Sequence, residues 1–160
     1  LAAVTAGMSD DALLRRMLLG FAVLAALGTL AELGLERHYD GMDQRIPWVI
    51  AGAVAALGAL LAIRPGPLAI RAARVLAVIA LIGSAIGVFK HVEENHGAGA
   101  LDYRYTETWE SRSAADQWFK AATKQVGPAP VLAPGALALA ALLLAAATVR
   151  HPAVRSSPEG

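Results

Sequence analysis

The sequence contains no cysteine, and it has few aromatic and few charged residues for its length. Without cysteine, it can form neither a disulfide framework nor a thiolate metal site. Charged residues make up 17% and aromatic residues 6% of the 160 positions, whereas hydrophobic residues make up 56%. This balance is unusual for a soluble domain and is typical of a membrane protein.

Several functional signatures are missing as well. The chain has no Gly-rich phosphate loop and no Ser/His/Asp arrangement, which favours a role other than catalysis. Its formal net charge is +1 and it has no basic patch for nucleic acid, so a polyanionic partner is not expected. No internal repeat typical of an alternating-access transporter is visible. A transporter or channel would therefore require an oligomer.

Four long stretches of the chain are almost free of charge. They cover residues 17–35, where only Glu32 is ionisable, and residues 46–63, 75–89 and 131–149. Stretches of roughly 15 to 20 apolar residues match a hydrocarbon layer of ~30 Å. Their apolar residues surround the whole helix, whereas the helices of a soluble bundle carry a polar stripe. The sequence therefore predicts an all-α, polytopic membrane protein built as a four-transmembrane-helix bundle.

The predicted organisation is a single transmembrane domain, residues 13–150, between two flexible tails, residues 1–12 and 151–160. Its four helices are predicted at about 15–36, 46–63, 72–94 and 131–150, by the pattern of apolar residues. Residues 1–7 precede the first methionine, Met8, and no structure is predicted for them. The first stretch runs to Glu36 without an A-x-A-like cleavage site, so we interpret it as a membrane helix rather than a signal peptide.

The positions of arginine predict the orientation. The second loop, residues 64–74, has three arginines and no acid, and the two tails add Arg15, Arg16, Arg150 and Arg155. Such segments stay in the cytoplasm. We therefore expect both termini to be cytoplasmic and the protein to lie in an inner (plasma) membrane. The first and third loops then form an outward rim, which holds every Trp and Tyr when Trp48 at the start of the second helix is included.

The third loop, residues 95–130, is long enough to have structure of its own. Residues 101–109 alternate in a strand-like way, and Ser113 with Asp116 resembles a capping box. A short extracytoplasmic amphipathic helix is therefore predicted at about 113–125, with Trp118, Ala122 and Val126 on one stripe. Such a helix would lie flat at the interface or cap the bundle. Alternatively, it would form a lid over a site in the mouth of the bundle.

Glutamates and histidines at the outer ends of the first and third helices form the candidate site. Glu32 and Glu36 project from one face of the first helix, and His91 and Glu94 lie one turn apart on the third. Helical bundles assemble metal sites from such ligands. Oxygen and imidazole ligands suit Zn, Fe, Mn or Cu(II). His38 and His96 are further candidate ligands, although the H-x-x-E order reverses the E-x-x-H of di-metal bundles.

Two alternatives to a metal site remain open. The polar residues beyond the interface, such as Glu36 and His96, are also explained by solvation alone. Glu32 lies about one turn inside the membrane, so it should face the bundle interior and pair, for example with His91 or Lys90. Haem is the second alternative, because His38 and His91 lie at similar depth on two helices and would supply two axial ligands.

Small residues indicate close helix contacts. Gly83 and Gly87 form a G-x-x-x-G pattern in the third helix, which is typical of helix dimers. The pattern is consistent with a homodimer and equally with packing inside the bundle.

A group of short motifs resembles an uncharacterised family of small four-helix bacterial integral membrane proteins. The motifs are His38-Tyr39-Asp40 to Gln44-Arg45-Ile46-Pro47, His91 to Asn95, Ala133-Pro134-Gly135 and Arg150-His151-Pro152. The resemblance covers most of residues 15–152 and implies no particular activity. Taken together, the sequence predicts an accessory or binding protein whose outward rim is the functional face. The bilayer and a larger membrane complex are its expected partners.

Overall fold

A computed structural model of the protein describes residues 9–155. Within this range the chain is helical and contains no strand. The helices are α1 (Asp10–Leu35), α2 (Met42–Ile63), α3 (Pro67–Ala98), α4 (Ala114–Ala122), α5 (Pro134–Thr148) and α6 (Pro152–Arg155), with a 3₁₀ turn at Gly99–Leu101. The predicted all-α class is confirmed. The two predicted flexible tails lie partly outside the described residues, at 1–8 and 156–160.

Three helices, α1, α2 and α3, are long and apolar enough to cross a membrane. They indicate a lipid environment, as the charge-free stretches predict. The fourth apolar helix, α5, has 15 residues, which is about 22 Å of helix and shorter than a perpendicular crossing requires.

Helices α1 and α3 begin earlier than the apolar pattern indicates. The Ser9 hydroxyl accepts a hydrogen bond from the backbone N–H of Ala12, and Asp10 and Asp11 occupy the first turn of α1. Both features stabilise a helix N-terminus. Helix α3 begins at Pro67, because proline is favoured in the first helical turn, and it continues to Ala98. The ends of the helices therefore reach into the polar segments that flank the apolar stretches.

The chain divides into two compact units. The first unit runs to Ile82 and resumes at Ala136, and the second is Gly83–Gly135. Small and branched apolar side chains from α1, α2, α3 and α5 form the core of the first unit; they include Ala22, Ala26, Val54, Ile70, Ala73, Leu137, Ala140 and Leu144. Because many of these residues are alanines, the helices approach one another closely.

Two arginines bind the C-terminal end of α5. The Arg15 guanidinium donates to the carbonyls of Ala147 and Val149 at 2.9 and 2.7 Å, and Arg74 donates to the carbonyl of Thr148 at 2.6 Å. The last carbonyls of a helix have no partner within the helix, so these bonds satisfy them. The starts of α1 and α3 and the end of α5 therefore lie together. We call this region, Arg15, Arg74 and residues 147–151, the arginine end.

The contact between α1 and α2 depends on Gly58. A Cβ atom at this position would lie 2.9 Å from a methyl carbon of Val23 in α1. Valine has one strongly preferred rotamer in a helix, so its methyl group cannot move away cheaply.

We expect Gly58→Ala to lower the free energy of unfolding by about 1–3 kcal/mol, because it overpacks this contact. Unfolding in mixed micelles with increasing SDS, followed by circular dichroism, measures the change. Gly52→Ala is the matched control in the same helix, since no heavy atom lies within 4 Å of its added Cβ. Equal effects of the two substitutions would show that Gly58 does not set the distance between α1 and α2.

Candidate functional site

The second unit is folded around one buried polar side chain, Asn95 of α3. The Asn95 side chain is 0% exposed. Its amide nitrogen donates to the carbonyls of Ala121 and Ala129 at 3.3 and 3.0 Å, and its oxygen accepts from the backbone N–H of Ala129 at 2.8 Å. A buried amide is costly unless it is hydrogen-bonded, and these three bonds satisfy it. Asn95 thereby holds residues 121–129 against α3.

Two glycines allow the backbone to approach this helix. Gly127 has φ +77°, and a Cβ there would lie 2.3 Å from the Asn95 side-chain oxygen. A Cβ on Gly99 would lie 2.1 Å from the Trp109 ring. Both positions therefore require glycine.

Aromatic side chains pack beside Asn95. The His96 ring stacks on Trp118 with 4.3 Å between centroids and meets Trp109 edge-on at 5.7 Å. Phe89 also stacks on Trp118, with 6.2 Å between the ring centroids. Trp109 is buried with Ala121 and Val126. His96, predicted as a further metal ligand, is thus part of an aromatic cluster.

Helix α4 begins as the sequence predicts. The Ser113 hydroxyl accepts from the backbone N–H of Asp116, which is the predicted cap. On the predicted stripe Val126 is buried and Ala122 is exposed, whereas the neighbouring Ala121 is buried. The hydrogen bond from Asn95 to the Ala121 carbonyl holds Ala121 against α3.

Residues 101–109 form consecutive turns rather than the strand-like segment that their alternation predicts. The Asp102 carbonyl accepts from the backbone N–H groups of Tyr105 and Thr106, and the Asp102 carboxylate accepts from the Arg104 N–H. Such local bonds compete with an extended conformation. The segment also lacks a partner strand within residues 9–155.

Three cations surround the ring of Tyr105. The charged groups of Arg104, Arg112 and Lys120 lie 5.5, 4.9 and 5.2 Å from its centroid. Cations are attracted to the face of an aromatic ring at this distance. Tyr105 therefore brings together basic side chains from the turns and from α4.

Two aspartates balance these cations. Hydrogen bonds from Arg104 lower the pKa of Asp102 to about 2, and the same pair raises the pKa of Arg104. The hydrogen bond from Arg112 lowers the pKa of Asp116, and Lys120 acts in the same direction. Arg104 also donates to the carbonyl of Gln125, so the pair with Asp102 connects the turns to the end of α4.

His91 has a defined hydrogen bond. Its Nδ1 lies 2.8 Å from the Pro130 carbonyl oxygen. A carbonyl only accepts, so Nδ1 donates in this bond, and in the neutral ring Nε2 then keeps its lone pair. Glu94 lies one turn further along α3 and is exposed.

The other predicted ligands lie in the first unit. Glu32 and Glu36 are both exposed on α1, so Glu32 does not face the bundle interior as expected. The Glu32 side chain makes no hydrogen bond or ion pair with any residue between 9 and 155. His38 contributes its backbone carbonyl, which accepts from the Trp48 indole at 2.7 Å.

Over residues 9–155 the structure forms no group of three or more His, Asp or Glu side chains able to hold a metal ion. The shared ligand set of Glu32, Glu36, His91 and Glu94 stays a prediction.

Gly87 contacts a residue of its own chain. A Cβ at Gly87 would lie 3.0 Å from the Pro134 ring, so the glycine allows close packing at the start of α5. This contact supports the intramolecular interpretation of Gly87, and the homodimer through Gly83 and Gly87 stays a prediction.

We expect Gly99→Ala to unfold the second unit locally, because the added methyl group would overlap the Trp109 ring. Tryptophan fluorescence should shift to longer wavelength as Trp109 becomes exposed. Gly97→Ala is the matched control two residues away, since nothing lies within 4 Å of its added Cβ. An unchanged emission spectrum in Gly99→Ala would contradict the close packing of α3 on Trp109.

No protein-family model, no curated protein and no solved structure matches this sequence. The resemblance to small four-helix bacterial membrane proteins therefore rests on its short motifs alone.

Proposed function

We propose that this protein is a membrane-embedded accessory protein that binds a partner protein through its second unit. It crosses the inner membrane of a bacterium four times, with both termini in the cytoplasm and residues 95–130 outside. In this arrangement α5 is the fourth crossing and α4 is an extracytoplasmic helix.

The packing of α5 supports four crossings. Its Leu137, Ala140 and Leu144 belong to the same core as the three longer apolar helices. Its last carbonyls bind Arg15 and Arg74, which precede the apolar parts of α1 and α3. A short helix of this kind is accommodated by local thinning of the bilayer. The excess of arginine at this end supports a cytoplasmic location.

The observation that carries the proposal is an exposed, ordered group at residues 101–104. Leu101 is 85% and Tyr103 is 89% exposed. The Arg104 guanidinium lies 6.0 Å from the Tyr103 ring centroid and is held by two hydrogen bonds to the Asp102 carboxylate. We call Leu101, Tyr103 and Arg104 the tip. Tyrosine and arginine are the residue types that contribute most to protein interfaces.

The position of the tip favours a protein partner over lipid. Phe89 marks the end of the apolar stretch of α3, and Leu101 lies 12 residues beyond it along helical backbone. At 1.5 Å per residue this is about 18 Å, a length that supports a position of the tip beyond the hydrocarbon layer. Because Asp102 and the Gln125 carbonyl fix Arg104 in advance, binding would cost little ordering of this side chain.

A benzophenone amino acid at position 103 should crosslink to one protein in native membranes. Once that protein is identified, Tyr103→Ala should weaken its binding by about 2 kcal/mol, or about 30-fold, because an interface anchor is lost. Binding of the purified full-length chains measures this loss.

Leu132 provides the control, because it is also in the second unit and is 82% exposed. Crosslinker at position 132 should not capture the same protein, and Leu132→Ala should leave its binding unchanged. Capture of no protein at position 103, or equal capture at both positions, would rule out the tip as the binding surface.

Metal binding is the second candidate function, and the hydrogen bond between His91 Nδ1 and the Pro130 carbonyl favours it. Metal-bound histidines usually donate their other ring N–H to a carbonyl or carboxylate, as His91 does to Pro130. Its Nε2 is then an available ligand, with Glu94 one turn away. The predicted site would add Glu32 and Glu36, with Zn, Fe, Mn or Cu as the ion.

Elemental analysis of the detergent-purified protein should then find one metal ion per chain or per pair of chains. His91→Ala and Glu32→Ala should lose it, whereas His151→Ala should retain it, because His151 lies at the arginine end. An absorbance spectrum of the same sample tests for haem through its Soret band. Metal-free wild-type protein of normal stability would exclude this function.

A further inference from the structure

The arginine end presents fixed guanidinium groups rather than freely moving ones. Arg15 uses one terminal nitrogen for the carbonyls of Ala147 and Val149, and Arg74 uses one for Thr148. Each guanidinium has five N–H donors, so further donors remain for a ligand. Arginine donors in this fork geometry suit phosphate, which they bind through two hydrogen bonds at once.

Arg150 adds a third guanidinium at the turn after α5. Its backbone adopts the left-handed conformation, with φ +47°, two residues after the end of the helix. Arg150 is exposed, and its side chain makes no hydrogen bond or ion pair with any residue in the 9–155 range. It lines two clefts of the first unit.

The two clefts differ in volume and in the residues that line them. The larger, of about 650 Å³, is lined by Arg15, Arg16 and His151 together with Asp11. The smaller, of about 400 Å³, has Arg74 and Arg150 at one end and apolar walls from Ala77, Val78, Leu81 and Ala145. We call this smaller cleft the α3–α5 groove. Its apolar wall follows α3 for roughly 10 Å from Arg74 to Leu81.

The pKa of His151 reflects the positive charge of the arginine end. Partial burial lowers the pKa of His151, and the charges of Arg15 and Arg74 lower it further. The region therefore disfavours an added proton and favours an anion. Asp11 offsets this charge only at the larger cleft, because it does not line the α3–α5 groove.

We propose that the α3–α5 groove binds one anionic phospholipid. Its phosphodiester lies between Arg74 and Arg150, and part of one acyl chain lies along Ala77, Val78, Leu81 and Ala145. A lipid uses both the charge and the apolar wall of the groove, whereas a free phosphate would use only the charge. Basic clefts between membrane helices are suited to anionic headgroups.

Native mass spectrometry of the full-length protein in detergent tests the proposal. The protein should retain one phosphatidylglycerol in preference to phosphatidylcholine. Arg150→Gln should weaken retention about five-fold, and adding Arg74→Gln should weaken it again by a similar factor. Arg150→Gln leaves the bond between Arg74 and Thr148 intact, so its effect is measurable even if the double variant unfolds.

Arg64→Gln is the matched control, because Arg64 is exposed at the end of α2 and lines neither cleft. It should leave retention unchanged. Equal loss in Arg64→Gln would show that charge acts diffusely and would overturn the proposal. Equal retention of phosphatidylcholine would overturn it too, as would complete displacement of the lipid by millimolar inorganic phosphate, which would indicate a site for the free anion.

Discussion

The backbone groups left unpaired at the helix ends of this protein need hydrogen-bond partners. The side chains that supply these partners determine how the helices are held together. A carbonyl left without a donor in an apolar environment is costly, so a membrane protein must satisfy it locally. Arg15 and Arg74 do this for the end of α5, and Asn95 does it for the segment from Ala121 to Ala129. The apolar side chains in the core of the first unit are mostly alanine and leucine, so they provide little specificity of their own. These few polar side chains therefore define how the chain is held.

The same constraint links structure to function. The Arg74 guanidinium, which binds the end of α5, retains unused donors, so this bond also places positive charge beside the α3–α5 groove. In the second unit, the bonds of Asn95 bring α4 and its neighbouring turns against α3 and so give the tip an ordered base. Arg104 is fixed there by Asp102 and by the Gln125 carbonyl. The two proposed binding surfaces thus rest on side chains that also hold the fold together.

The sequence predicted the features that depend on local patterns. Charge-free stretches gave the three long apolar helices, and Ser113 with Asp116 gave the start of α4. The strand-like interpretation of residues 101–109 was wrong because the bonds of Asp102 are not visible in an alternating pattern. The role of Asn95 was missed because its partners lie 26 and 34 positions away. Val92, Asn95 and Gly99 are spaced so that they share one helical face. This spacing is the sequence feature that could have indicated the burial of Asn95.

One candidate metal ligand, His91, also binds a backbone carbonyl. The Pro130 carbonyl accepts from the backbone N–H of Ala133 at 3.0 Å and also from Nδ1 of His91 at 2.8 Å. The adjacent Ala129 is held by Asn95, so His91 and Asn95 bind consecutive backbone positions, 130 and 129, to α3. A ligand on Nε2 would stabilise the tautomer that donates through Nδ1 and, with it, the packing of residues 129 and 130 on α3. If the protein binds no metal, the hydrogen bond still serves the fold. His91 therefore has a structural role under both proposed functions, and only under the second does its free nitrogen matter.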